Sequence, residues 1–158
     1  MTNPTRITAE PGQPFVDIVR EFDAPVDLVF RAHTDPDLFA RWTGPRQLTM
    51  EVLDFEPVTG GQWRYVSRDP AGNEYGFRGV FHTVEADSLI IQTFEFDGTP
   101  GQVSLGVARF EATDHGTRIT THTVFPSLEA RDGMVASGME YGASEGYARL
   151  DELLADRQ

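Results

Sequence analysis

The sequence predicts an α+β protein in which a curved antiparallel sheet wraps around a long C-terminal helix. Between residues 48 and 125 the apolar residues recur with a period near 2, which is typical of strands that bury one face. After residue 127 a single apolar stripe recurs at spacings of three and four, which is typical of a helix. Strands and helices do not alternate along the chain, so a doubly wound parallel sheet is not expected.

The N-terminal third predicts one strand and two short helices. The polar segment 1–13 is expected to be a flexible lead-in to a single domain over 14–158. Residues 15–22, FVDIVREF, are rich in β-branched and aromatic types and predict the first strand. Pro25 and the Asp35-Pro36 pair mark the starts of two short helices, because proline is favoured in the first turn of a helix.

The middle of the chain predicts an antiparallel meander. Short polar loops rich in Gly, Pro and Asp separate six strand-like runs. Consecutive strands joined by such loops pair with their sequence neighbours. We therefore expect one sheet, with the strand at 15–22 along one edge, built from 48–56, 62–69, 74–84, 88–97, 102–113 and 117–125.

The last element is predicted to be one helix over 128–156, with Ser127 as its N-cap. Three glycines recur every four residues on or near its apolar face, at Gly138, Gly142 and Gly146. Each glycine inside a helix costs about 1 kcal/mol relative to alanine. Close packing against the sheet would explain them, with Gly146 packed most deeply and Gly138 nearest the mouth of a cavity. The alternative is a loose helix that acts as a lid.

Composition excludes several classes of protein. The chain has 158 residues, no cysteine and a formal net charge of −12. The absence of cysteine excludes disulfides and thiolate chemistry, and the negative charge disfavours nucleic acid or an anionic membrane as a partner. No stretch resembles a signal peptide or a membrane-spanning helix, so a cytoplasmic protein is expected.

The residues that could carry chemistry form no recognisable catalytic or metal motif. The four histidines show no metal-ligand spacing, and neither a nucleophile elbow nor a phosphate loop is present. We therefore expect no metal and no cofactor. His33 is expected to close the apolar side of the first helix. His122 on a strand and Glu145 on the last helix are the candidates for proton transfer, should the protein be an enzyme.

Aromatic residues are the more informative set. Phe81 and Phe94 are interpreted as core. Tryptophan and tyrosine carry polar atoms that need partners when buried, which suits the wall of a ligand cavity. The candidate ligand-binding residues are Trp42, Trp63, Tyr65, Phe77, Gly138, Tyr141 and Glu145.

Five short motifs resemble those of one family. They are Phe22-Asp23-Ala24-Pro25-Val26-Asp27-Leu28-Val29-Phe30-Arg31-Ala32, Arg41-Trp42-Thr43-Gly44-Pro45, Thr59-Gly60-Gly61-Gln62-Trp63-Arg64, Phe125-Pro126-Ser127 and Gly138-Met139-Glu140-Tyr141-Gly142. In this order they resemble the bacterial homologues of the activator of heat-shock-protein-90 ATPase. The resemblance covers about residues 14–156. It implies the helix-grip, or START-like, fold of the polyketide cyclase superfamily.

The resemblance implies an internal cavity for a small molecule, but not a particular ligand. A binding or carrier domain for a hydrophobic or aromatic molecule is the leading hypothesis, in a monomer or homodimer. One alternative is an enzyme of the polyketide cyclase or dehydratase type that uses acid and base residues of the cavity. The other is a protein-interaction module of the chaperone-activator type. Co-chaperone activity is not expected, because the sequence shows no counterpart of the chaperone-binding domain that precedes this domain in the eukaryotic activator.

Overall fold

The computed structural model describes residues 3–157. Eight strands and four helices follow one another within these described residues. Two strands and two helices come first: β1 (Thr5–Thr8), β2 (Phe15–Phe22), α1 (Val26–Thr34) and α2 (Pro36–Trp42). The meander and the last two helices follow: β3 (Thr49–Phe55), β4 (Gln62–Arg68), β5 (Glu74–Glu85), β6 (Leu89–Phe96), β7 (Ser104–Ala112), β8 (Thr117–Val124), α3 (Leu128–Ala136) and α4 (Met139–Ala155).

The strands form one antiparallel sheet in the order β1-β2-β8-β7-β6-β5-β4-β3. All six predicted strands of the meander are present, and each pairs with its sequence neighbour. Strand β2 pairs with β8 along the edge of the meander, as the sequence predicts. The sheet curves around the helices, so the predicted helix-grip arrangement is confirmed.

Strand β1 lies within the segment that the sequence predicted to be a flexible lead-in. Its residues pair antiparallel with β2, and Thr5 lies opposite Arg20. Ile7 packs against the cluster that contains Val16 and Ile18. Four residues are too short for a period to show in a sequence, whereas an unpaired edge of β2 offers a ready template for pairing.

The predicted continuous helix over 128–156 is also corrected, because it is two helices. Ser137 ends α3, and Gly138 follows with φ of 93°, in the left-handed region. A left-handed residue interrupts the run of α-helical hydrogen bonds, and glycine adopts it without a steric penalty. The predicted N-cap is confirmed, since the Ser127 side chain accepts a hydrogen bond from the backbone N–H of Ala130.

The core lies between the concave face of the sheet and the helices. Its main cluster joins both sheet halves to α1, α2 and the C-terminal half of α4, and includes Phe22, Val29, Phe30, Phe81, Phe110, Ile119 and Leu150. A second cluster packs α3 and the start of α4 against β2 through Val16, Ile18 and Phe125. Within residues 3–157, no helix is long and apolar enough to cross a membrane.

Candidate ligand-binding site

Four aromatic rings line the concave face across β4, β5 and β6. Trp63 stacks on Tyr65 with ring centroids 5.3 Å apart, and Tyr65 lies 5.2 Å from Phe77. Phe77 in turn lies 5.3 Å from Phe94. We call these four residues the aromatic wall. Three of them were predicted as ligand-binding residues from the sequence, while Phe94 was interpreted only as core.

The indole nitrogen of Trp63 is an unsatisfied donor in this wall. Trp63 is 6% exposed, and its Nε1 is the only buried side-chain nitrogen or oxygen in the described part of the chain that lacks a hydrogen-bond partner. A buried donor without a partner costs about 1–3 kcal/mol. Such a group in a native structure needs an explanation, and a ligand or an ordered water is one.

Two glycines make room beside the wall. A Cβ on Gly79 would lie 2.6 Å from Cε2 and Cζ2 of Trp63, so the indole edge lies directly over this glycine. A Cβ on Gly106 would meet only the Thr123 hydroxyl, at 3.6 Å, and the backbone oxygen of Gln92, at 3.9 Å. The concave face is therefore tightly filled at Gly79, whereas Gly106 has room for a methyl group in ordinary van der Waals contact.

Polar but uncharged side chains lie around Gly106. Gln92 lies opposite Gly106 on β6, and Thr123 lies opposite it on β8. Tyr147 approaches from α4 and forms a hydrogen bond with Thr121. Burial raises the pKa of both Tyr65 and Tyr147, so both phenols stay protonated at neutral pH.

Trp42, another predicted ligand-binding residue, is part of the scaffold. It is buried, and its Nε1 donates a hydrogen bond to the backbone oxygen of Ala32 at 2.9 Å. Its ring stacks on Tyr147 with centroids 5.8 Å apart. Phe39 lies 5.8 Å from both Trp42 and Tyr65, and so connects this scaffold to the aromatic wall.

His33 closes the apolar side of α1, as the sequence predicts. Its ring lies 4.8 Å from Trp42 and 5.0 Å from Phe110. Burial lowers the pKa of His33 to about 4, and its Nδ1 donates to the backbone oxygen of Val29 at 2.8 Å. The imidazole is therefore neutral at physiological pH and serves packing.

The predicted residues of the last helix lie outside the interior. Glu145 accepts a hydrogen bond from the backbone N–H of Arg46 at 2.6 Å and another from the hydroxyl of Tyr141. Both bonds lower the pKa of Glu145, so it is a carboxylate at neutral pH and a poor general acid. Tyr141 is 57% exposed, and Gly138 is also exposed. The hydrogen bond between Arg46 and Glu145 therefore holds the loop after α2 against α4.

His122, the other candidate for proton transfer, lies on the convex face of the sheet. Its Nδ1 lies 2.6 Å from the carboxylate of Asp17, and its ring lies 4.8 Å from Phe15. Its neighbours Thr121 and Thr123 take the concave face, because side chains alternate along a strand. The expectation that this strand could aim His122 into a cavity is therefore wrong.

The described residues contain no group of His, Asp or Glu that could hold a metal ion. The small and polar residues of the site were not predicted from the sequence. Gly79, Gln92 and Gly106 have no local motif. The signal that could have found them is cross-strand pairing, since Gly79 lies opposite Trp63 and Gly106 opposite Gln92. That signal requires the register, which turn positions alone do not provide.

Comparison with known proteins identifies the family. The model of the family described as activator of Hsp90 ATPase homolog 1-like protein matches residues 23–155. This chain belongs to that family. Among curated proteins, none matches the chain significantly.

Solved structures agree with this assignment. A crystal structure of a Rhodobacter sphaeroides protein is 28% identical with a TM-score of 0.89, and the match covers 97% of this chain and 99% of that chain. A Mycobacterium smegmatis protein is 26% identical with a TM-score of 0.87, covering 96% and 97% of the two chains. An Arthrobacter aurescens protein is 27% identical with a TM-score of 0.87, covering 96% and 91%. Membership in this START-like family supports a ligand-binding domain.

Proposed function

We propose that this member of the Hsp90 ATPase activator homolog 1-like family binds a small hydrophobic, aromatic molecule between the aromatic wall and α4, without covalent catalysis. The observation that carries the proposal is the wall itself, with Gly106, a position without a side chain, beside it. Offset and tilted rings spaced 5–6 Å apart offer an apolar surface to a flat ligand. Phe77 and Phe94 are only partly buried although they face inward, which fits a surface that a ligand completes.

No observation favours the enzyme alternative. Proton transfer needs an acid or base within hydrogen-bond reach of the ligand. Glu145 is engaged with the Arg46 loop and His122 lies on the opposite face of the sheet. The proposal is therefore a binding or carrier role, and the acidic, cysteine-free composition supports a cytoplasmic location for it.

A fluorescent probe tests the proposal. N-phenyl-1-naphthylamine is a neutral aromatic molecule whose emission rises in apolar surroundings. Titration into the protein should give saturable enhancement together with loss of tryptophan emission. Replacement Phe77→Ala should weaken binding roughly tenfold, because a ring contact of the wall is lost.

The matched control is Tyr141→Ala, which removes an exposed aromatic residue outside the wall. Its affinity for the probe should stay within about twofold of the original, in the range expected when a residue makes no contact. Circular dichroism checks that both variants are folded. Linear, unsaturable enhancement in the original protein, or equal losses in the two variants, would contradict a binding site at the wall.

A further inference from the structure

We propose that the ligand carries a neutral hydrogen-bond acceptor, such as the oxygen of an aromatic ketone, and that Nε1 of Trp63 donates to it. This inference rests on the proposed function and names the ligand's polar feature. It starts from the one buried side-chain donor without a partner in the described part of the chain. Packing of the Trp63 ring in the aromatic wall does not by itself require that its N–H group lack an acceptor.

The orientation of the indole supports a role for this donor. The edge that includes Cε2, the carbon bonded to Nε1, lies over Gly79 on β5, and therefore away from the edge strand β3. The plane of the Trp63 ring makes an angle of 18° with the ring of Tyr65 and of 38° with the ring of Phe94. With these angles neither ring turns its face squarely toward the indole edge, so neither is a good acceptor for the N–H group.

The charge of the surroundings selects a neutral acceptor. Inward positions of β4 to β8 follow from the register, and none of them holds a charged residue. Arg20 faces inward from β2, but its guanidinium is engaged by Asp151. An anion buried at the wall would have no counter-charge there, which is costly, whereas a ketone or ether oxygen needs only a donor.

Gln92 and the missing side chain of Gly106 indicate where the rest of such a molecule would lie. Gln92 and Phe94 are two of the inward residues of β6, next to the strand that holds Gly79. A flat ring system over Gly106 would contact Gln92 on one side and Thr123 on the other, because both lie directly opposite Gly106. The proposed hydrogen bond requires its carbonyl oxygen to point toward the Trp63 edge.

A matched pair of ligands tests the inference: 9-fluorenone and fluorene have the same flat ring system, and only fluorenone has a carbonyl. The two dissociation constants are measured by displacement of N-phenyl-1-naphthylamine, in the original protein and in Trp63→Phe. The preference for fluorenone is the dissociation constant of fluorene divided by that of fluorenone. This ratio should be about 2–10-fold smaller in Trp63→Phe than in the original protein, which is the effect of one hydrogen bond. Comparing preferences cancels the difference in hydration between the two compounds. Phe94→Leu is the control variant, which should weaken both compounds and leave the preference unchanged.

A second measurement does not depend on the variant's fold. The protein has two tryptophans, and their indole N–H signals can be observed separately in a ¹⁵N-labelled sample. Fluorenone should shift the Trp63 proton downfield, while fluorene should not. The Trp42 signal, whose donor is already bonded to Ala32, should remain in place with both.

The outcomes separate this inference from the proposed function. Binding of both compounds with equal shifts of the Trp63 signal and an unchanged preference in Trp63→Phe would overturn the inference and leave the binding function standing. The donor would then be held by water alone. If neither fluorene nor fluorenone displaces the probe, and the probe itself does not saturate, the proposed function fails as well.

Discussion

At the scale of single residues, identical side chains have different roles because their partners differ. Trp42 and Trp63 are both buried, and only Trp42 has an acceptor for its indole N–H. A partnered tryptophan fixes the arrangement of α1 and α2, whereas an unpartnered one leaves a directed donor in the wall. The glycines of α4 show the same contrast. Gly146 lies against backbone of the loop after α2, and Gly142 meets only one carbon of Pro45.

This contrast predicts opposite effects of alanine at the two positions. A Cβ on Gly146 would lie 3.2 Å from the Gly44 nitrogen and 3.2 Å from the Trp42 oxygen, which are backbone atoms that cannot easily move. We expect Gly146→Ala to lower the free energy of unfolding by about 1 kcal/mol, since crowding outweighs helix propensity. Gly142→Ala, with its nearest contact at 3.7 Å, should raise it by about 0.5–1 kcal/mol. Urea melts of the two variants measure both free energies of unfolding. A stability gain of similar size in the two variants would contradict close packing at Gly146.

At the scale of elements, the break between α3 and α4 divides the C-terminal segment into two helices that contact different partners. Helix α3 and the first turn of α4 pack on β2 through Met134, Val135 and Met139. The second half of α4 packs in the main core through Leu150 and Leu154. The turn between the helices lets each follow the curved sheet, which one straight helix could not do.

A pair of alanine substitutions tests the position of the break. Gly138 has φ of 93° and open space around it, so Gly138→Ala should destabilise by about 1–2 kcal/mol through backbone strain alone. Gly133 also has open space but lies within α3, without a positive φ. Gly133→Ala should therefore stabilise by about 0.5–1 kcal/mol. Thermal or urea unfolding distinguishes these signs, and a continuous helix through residue 138 would instead make both substitutions stabilising.

At the scale of the whole molecule, one buried ion pair joins the two ends of the fold. Arg20 on β2 is 2% exposed and donates to both carboxylate oxygens of Asp151 on α4, at 3.0 and 2.5 Å. The same guanidinium donates to the Thr5 hydroxyl of β1 and to the backbone oxygen of Glu21. Because these bonds reach β1, β2 and α4, they hold the edge of the sheet against the helix that it surrounds.

We expect Asp151→Asn to destabilise the protein by about 3 kcal/mol, because it leaves the buried Arg20 charge without its counter-ion. Replacing both partners, Arg20→Met with Asp151→Leu, should cost less than Asp151→Asn alone. Glu21→Gln provides the matched control, because Glu21 lies on the same strand as Arg20 and pairs at the surface with Arg118 of β8. This substitution should change the free energy of unfolding by less than about 1 kcal/mol. Equal effects of Asp151→Asn and Glu21→Gln in urea melts would show that the buried pair does not anchor α4.

The sequence was sufficient to predict the order and type of most elements and the direction of their pairing. Alternation and turn residues located all six meander strands, and the Ser127 cap located the start of α3, because these signals act over a few neighbouring residues. Three of the four residues of the aromatic wall were also named as ligand-binding candidates, since large inward residues stand out on a strand, and that role stays a prediction.

Which of those residues meet could be learned from the tertiary structure alone. It placed His122 on the convex face and Glu145 against the Arg46 loop, and it left Nε1 of Trp63 without a partner. It also added β1 and divided the last helix at Gly138. The physical reason is common to these cases: hydrogen-bond partners, strand register and the space over a glycine depend on residues distant in sequence, and the curvature of the sheet brings them together.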